Sequence, residues 1–179
     1  MNQGDQHTSR QHRLMVRIRP LQPEDWPATW RIMEPVVRAG ETLPFDPAVD
    51  AEGGYAVWVE AALQAFVAVA ADDQVLGAYH IKPNGPTLAA HVCNCGYVVA
   101  ATARRQGVGS LLFSHSQDQA LALGFRAMQF NLVVSANTAA VQAWQRNGMV
   151  IVGTLPGAFR HRRLGFVDAH VMYKTLKSD

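Results

Sequence analysis

The sequence predicts an α+β fold, a mixed sheet of about seven strands with helices on its faces. Three observations carry this. Alternating and helical apolar periods follow one another in the order β–α–α–β–β–β–α–β–α–β–β. Three strands come in succession mid-chain, where a doubly wound fold would place helices between them. A short loop with two arginines and two glycines then joins a strand to a helix within 97–113.

Residues 1–13 are polar and without period, and are expected to be a disordered tail. That leaves 14–179 as a single domain, large enough to bury a core without disulfides or metal. Met15, Val16 and Ile18, with Arg17 and Arg19 between them, predict a half-exposed first strand that Pro20 ends. Pro23-Glu24-Asp25 opens a helix whose apolar face is Trp26, Trp30, Ile32, Met33, Val36 and Val37. Pro35 is expected to kink or break that helix. Residues 43–54 read as loop followed by helix, with 56–63 as its completion.

From Gln64 the period becomes two. Residues 64–70 and 75–81 are strands joined by a hairpin at 71–74. Residues 82–86 form a turn and 91–99 a longer strand. Helical spacing returns over 107–123, closed by Gly124, and 127–134 is a buried strand. Residues 137–146 are a helix with Asn137 as N-cap and Asn147-Gly148 as its stop. The last strands, 149–154 and 166–176, are expected to be joined by a loop holding Pro156, Gly157 and the basic run from Arg160 to Arg163.

The composition, 49% hydrophobic and 17% charged, is that of a soluble globular enzyme. A formal charge of +2 argues against a nucleic-acid partner, which calls for a strongly basic stripe. The apolar run 55–71 is broken by Glu60 and Gln64, so no membrane span is expected. The first residues lack a signal peptide's apolar core, and a Cys93-Asn94-Cys95 bridge would be strained, so a reducing cytoplasm is the expected compartment. His91, Cys93 and Cys95 alternate onto one face, but zinc sites use wider cysteine spacings and no metal is expected.

The loop Arg104-Arg105-Gln106-Gly107-Val108-Gly109 is a candidate pyrophosphate cradle, since it brings cations and unpaired N–H groups to a helix N-terminus. A P-loop would need Gly-Lys-Ser/Thr there, and Gly109-Ser110 has no lysine. A dinucleotide fingerprint would need a third small residue where Leu112 stands. The pattern Gln/Arg-x-x-Gly-x-Gly/Ala is matched by Arg104, Gly107 and Gly109. Downstream, Asn137-Thr-Ala-Ala140-Val-Gln-Ala143-Trp144-Gln-Arg-Asn-Gly148-Met149 is similar to Asn-x-x-Ala-x-x-Leu-Tyr-x-x-x-Gly-Phe. With both elements in this order, the chain resembles the GNAT family of N-acetyltransferases.

That resemblance implies the GNAT fold, with helices on both faces of the sheet and a splayed pair of central strands, and acetyl-CoA as cosubstrate. It implies that Arg104, Arg105, Gln106, Gly107, Val108, Gly109 and Ser110 hold the pyrophosphate. Val98 and Val99 would line the pantetheine arm, with Asn137, Ala140 and Trp144 beside the CoA. The N–H of Val99 would donate to the thioester oxygen. A homodimer is implied by analogy alone. Trp144 also reads as a plain core tryptophan, and Asn137 needs no role beyond its cap.

The chain departs from the family's common chemistry. No Asp or Glu occurs between Asp73 and Asp118, so the usual carboxylate base is missing. Trp144 stands where a tyrosine commonly protonates the leaving thiolate, and an indole N–H is no usable acid. Positioning is expected to do most of the work. A narrower resemblance, to fungal acetyltransferases of L-azetidine-2-carboxylate and other proline analogues, rests on 91–99, 130–133 and 166–169. It ties Asn94 to substrate binding and Asn131 to catalysis. An amide interior to an apolar strand needs partners, which a substrate or a neighbouring backbone would supply.

The expected reaction is acetylation of a small amine, such as an amino acid or proline analogue, in a ternary complex. A protein lysine or N-terminal acetyltransferase, and a non-catalytic acyl-CoA-binding module, are the alternatives. His80 and His91 flank the expected site as proton relays or as structural residues. Arg160 to Arg163 either attract an acidic substrate or keep a loop soluble, and Glu41, Asp46 and Glu52 read as solvated loop charges.

Overall fold

In the computed structural model, which describes residues 15–177, seven strands form one mixed sheet. They are β1 (Arg17–Pro20), β2 (Gln64–Val69), β3 (Val75–Pro83), β4 (Val92–Val99), β5 (Ala127–Val134), β6 (Val150–His161) and β7 (Gly165–Thr175). Their spatial order is β1-β2-β3-β4-β5-β7-β6, and only the β4–β5 pair is parallel. The α-helices are α1 (Trp26–Ala39), α2 (Ala51–Tyr55), α3 (Val108–Ala122) and α4 (Thr138–Arg146). The expected tail at 1–13 lies outside the described residues.

Strand alternation divides the core in two. Ala78 of β3 and Val98 of β4 face α1, where they pack with Trp26, Trp30, Met33 and Trp58. Tyr79 and Ile81 face the other way, with Leu112 and Phe113 of α3 and Met128 and Phe130 of β5. The sheet therefore carries helices on both faces, as expected. Cys93 and Cys95 are free thiols inside the second cluster. His91 is exposed, its Nδ1 3.0 Å from Leu88 O.

Three expectations about elements are corrected. Pro35 lies within α1, which continues to Ala39 and ends at Gly40 with φ +60°. The proline is exposed, so the carbonyl its ring leaves without a donor can be hydrated. On the opposite side Met33 and Val37 are fully buried, at roughly 1.5–3 kcal/mol each, which outweighs one missing bond. Second, α2 stops at Tyr55 and a wider π turn, Ala56–Glu60, buries Trp58. Third, Pro156, Gly157 and Arg160 lie in β6 rather than in a loop, and the turn to β7 covers only 162–164. A bulge between Leu155 and Phe159, with Gly157 at φ +60°, absorbs the extra residues, and β6 is an edge strand that tolerates a proline.

The sheet opens at its only parallel pair. β4 and β5 are in register at Val92↔Ala127 and Cys93↔Met128, and pairing stops there although both strands run on. The expected splay is thus present, and its apex lies at Cys93 and Met128.

Candidate active site

At the open end of the splay, β4 gives way to a short 3-10 turn (Ala101–Ala103) and the arginine–glycine loop. Gly107 precedes α3 with φ +83°, a backbone state that L side chains avoid, and a Cβ there would meet nothing within 4 Å. The first bond closing α3 runs from Leu111 N–H to Gly107 O, at 3.0 Å. The N–H groups of Val108, Gly109 and Ser110 therefore have no intrahelical acceptor. Arg104 and Arg105 are exposed beside them, and Gln106 ties the loop down through Nε2 to Thr102 O at 2.7 Å. Arg105 itself has φ +60°, the conformation a glycine would take at no cost. Unpaired donors, two cations and open space beside a left-handed glycine fit a pyrophosphate.

The backbone of β4 explains which of its groups face the gap. Ala100 N–H donates to Leu76 O of β3 at 2.8 Å. By alternation the N–H of Val98 also faces β3, whereas that of Val99 points to the side that β5 has left. Val99 is thus presented to the gap by its backbone, while the Val98 side chain is buried on the α1 face.

One side of the gap is floored by aromatic rings. Trp144 of α4 lies 5.0 Å from Tyr97 of β4, 5.2 Å from Phe130 of β5 and 5.4 Å from Phe113 of α3, measured between centroids. Trp144 therefore bridges the two strands where their hydrogen bonds have ceased. Tyr97 OH is held by Ser116 Oγ at 2.7 Å, and burial pushes its pKa well above the phenol range, so it is no acid for the leaving thiolate. Asn137 caps α4, its side chain accepting from Ala140 N–H at 3.2 Å.

The opposite side carries amides. Asn94 Nδ2 donates to Gln129 O at 2.9 Å, stitching β4 to β5 just past the last backbone pair. Gln129 Nε2 donates to Asn131 Oδ1 at 2.8 Å, and Asn131 Nδ2 donates to Asn84 Oδ1 at 2.6 Å. Asn131 is exposed rather than interior: alternation along β5 puts it on the face of Gln129, away from Phe130, next to a bulge between Phe130 and Val133. Asn94 is half-buried, with a backbone partner of the kind the alternative reading required.

Next to this chain lies His80 of β3, 7% exposed and paired in register with Gly96. A Cβ on Gly96 would sit 2.7 Å from His80 Cε1, so the glycine is what lets the imidazole lie across β4. The ring meets Trp58 edge-on at 4.5 Å, and among the described residues neither His80 Nδ1 nor Trp58 Nε1 has a hydrogen-bond partner. Burial, with Lys82 adding to it, pushes the His80 pKa down to about 4, so the ring is neutral at physiological pH.

Beyond Asn131 a cleft of about 700 Å³ opens between the α1–α2 connection and the β6–β7 hairpin. Leu43, Phe45, Leu132 and Phe159 supply apolar walls. The basic run rims it as a fastener. Arg162 donates from its backbone to Gly40 O at 3.0 Å and from Nη1 to Arg38 O at 2.7 Å, while Arg163 pairs with Glu41 at 2.5 Å. Sequence reasoning missed Asn84 and Trp58 as parts of this region, since nothing local marks a residue brought in by tertiary packing, whereas His161 belongs to the basic run that the sequence offered for an acidic substrate. Among the described residues no three His, Cys, Asp or Glu side chains are grouped so as to hold a metal, and no helix is long and apolar enough to cross a membrane.

Residues 17–149 match the Acetyltransferase (GNAT) family. The chain belongs to the GNAT acetyltransferases. Acetyl-CoA is the acyl donor of this family, and the loop at 104–110 is where its pyrophosphate would be held. The chain is 40% identical to a solved GCN5-related N-acetyltransferase from Kribbella flavida, with a TM-score of 0.84, covering 89% of this chain and 97% of that one. An acetyltransferase from Salmonella typhimurium, solved with its cofactor acetyl-CoA, shares the fold at a TM-score of 0.80 and 19% identity, over 92% of this chain and 96% of that one. N-acetyltransferase aca1 of Schizosaccharomyces pombe is 35% identical over 98 residues, in keeping with the fungal resemblance. That match takes in 54% of this chain and 47% of the yeast protein, so it spans about half the length of the curated relative.

Proposed function

We propose that this GNAT chain transfers an acetyl group from acetyl-CoA to a small primary or cyclic secondary amine, such as an amino acid or proline analogue, by direct attack in a ternary complex. One observation carries the reading: the gap between β4 and β5 has the amide chain of Asn94, Gln129, Asn131 and Asn84 starting just past its apex, and the gap-facing N–H of Val99 toward its open end. Acetyl-CoA supplies an activated carbonyl and a thiol leaving group. Val99 N–H donates to the carbonyl oxygen as negative charge builds there. Asn131, exposed at the bulge, orients the uncharged amine through its side-chain oxygen, and Asn94 keeps β4 and β5 at the separation the substrates need. No Asp or Glu stands on β3, β4 or β5, so water takes the amine proton. A thiolate of ordinary pKa, about 8.5, leaves without a protein acid.

Cys93 and Cys95 are buried, and burial raises the Cys95 thiol well above its usual range, which supports transfer without an acyl-enzyme. Trapping an acetylated cysteine after mixing with acetyl-CoA alone would overturn that step. The reading is tested by release of free thiol across a panel of amines that includes proline analogues. In the variant Asn131→Ala we expect kcat to fall at least about tenfold, with CoA affinity within about twofold of wild type. An unchanged kcat removes Asn131 from the mechanism. Two further expectations stand as proposals. Free buried cysteines support a reducing, cytoplasmic setting. The exposed Val150, Ile151 and Val152 on edge strand β6 support a homodimer, which sedimentation across a concentration series tests.

A further inference from the structure

The wall of the acceptor cleft contains a hydrogen-bond donor that the protein does not use. His161 ends β6, is 5% exposed and lines the cleft. Its Nδ1 accepts from two backbone donors of the following turn, Arg163 N–H at 3.2 Å and Leu164 N–H at 3.3 Å. A nitrogen that accepts two N–H bonds carries no proton, so the neutral ring must bear its proton on Nε2. Among the described residues Nε2–H has no acceptor, and it is not sealed away from the cleft as His80 Nδ1 is from its surroundings.

The charge around this donor has one sign. Arg162 borders the cleft, donates from Nη1 to Arg38 O and makes no ion pair among the described residues, whereas alternation along β6 sends Arg160 to the exposed face opposite Phe159 and His161. No Asp or Glu lines it, and Glu41 at its edge is already neutralised by Arg163. A polyamine or a lysine chain would meet an arginine and no carboxylate. An anion meets attraction and a fixed donor.

Resting on the acetyltransfer reading above, we infer that this cleft is an anion subsite for the acceptor. His161 Nε2–H and the charge of Arg162 receive its carboxylate, and the acceptor class is an amino or imino acid rather than a polyamine or protein lysine. Leu43, Phe45, Leu132 and Phe159 then enclose the apolar body of that acid.

The test compares a proline-type imino acid with its carboxamide, each with acetyl-CoA and read by thiol release. Wild type should favour the acid in kcat/KM by tenfold or more, in line with one charge-assisted hydrogen bond. His161→Asn keeps an acceptor near Nδ1 for the turn and removes the Nε2 donor. It should raise the KM for the acid about tenfold while leaving kcat, the KM for acetyl-CoA and the carboxamide unchanged. His161→Gln, which returns an amide N–H near the Nε2 position, should restore part of the preference. Thiol release with acid and carboxamide at equal efficiency overturns the subsite alone, as does an intact preference in His161→Asn. No thiol release with any amine overturns the acetyltransfer reading, and the subsite with it.

Discussion

The donor end and the acceptor end proposed for this molecule are built by opposite means. The donor end comes from one unbroken stretch, Tyr97 to Ser110, and works through backbone: the Val99 N–H, the free N–H groups opening α3, and glycines that leave space beside them. The acceptor end is assembled from the α1–α2 connection, the π turn at Trp58, His80, the β5 bulge and the β6–β7 hairpin. It works through side chains, several of them buried. Backbone recognition suits a donor common to a whole family, because N–H groups survive most substitutions. Side-chain recognition suits an acceptor that differs between members, because each contact can be changed alone.

The sharpest way to break this contrast is to damage the donor end through backbone alone. Gly107→Val places a β-branched residue at φ +83° in open space, so the cost is conformational rather than a clash. We expect a loss of about 1–2 kcal/mol in stability, measured by urea unfolding. Because the loop would relax away from its left-handed turn, CoA affinity by calorimetry should fall roughly a hundredfold. Retention of wild-type affinity would mean that the arginines, and not the cradle, hold the phosphates.

The same contrast explains what could be read from the sequence. The donor loop, the strand before it and the helix after it are contiguous, and each has its own local signal: glycine, cation, period, cap. They appear in the structure where the sequence placed them, and the strand at 127–134 matches residue for residue. The acceptor end depended on facts with no local signal. Asn131 fell on an uncovered part of its strand's face, Gly96 made room for a histidine from the neighbouring strand, and Gly157 let a proline-containing run stay in a sheet. Pro35 misled for a related reason. The burial of Met33 and Val37 belongs to tertiary packing, which a propensity argument does not see.

A second prediction examines the acceptor end by pH. His80 titrates near 6.5 in the unfolded chain and near 4 when folded, because burial and Lys82 disfavour its charge. Between those values the unfolded chain binds a proton that the folded chain refuses. Its contribution is therefore complete above about pH 6.5 and is lost as pH falls toward 4, by on the order of 3 kcal/mol in all. His115, also lowered by burial, and Asp25, held below its usual range by Arg19, add to acid sensitivity, so the wild-type slope alone does not isolate His80. His80→Phe keeps a ring against Trp58 and removes the titration. Urea midpoints at pH 7, 5.5 and 4 should show a shallower loss in the variant, and parallel curves would mean that the imidazole is protonated in the folded protein.

The smallest effect returns to the donor end and has the opposite sign. Arg105 adopts φ +60° without being glycine, and it makes no ion pair among the described residues that would repay the strain. A left-handed conformation costs an L residue about 1–2 kcal/mol, partly offset in any glycine variant by the greater freedom of the unfolded chain. Arg105→Gly should therefore stabilise the protein by about 0.5–1 kcal/mol, a rise in Tm of roughly 1–4 °C at this length. It keeps every backbone donor and deletes one of two cations, so CoA affinity should fall only a few-fold and depend less steeply on salt. If the variant is more stable but binds CoA as tightly as wild type at low salt, Arg104 alone supplies the useful charge. If it is less stable, the arginine side chain holds the loop in place, and the donor end relies on side chains more than its geometry suggests.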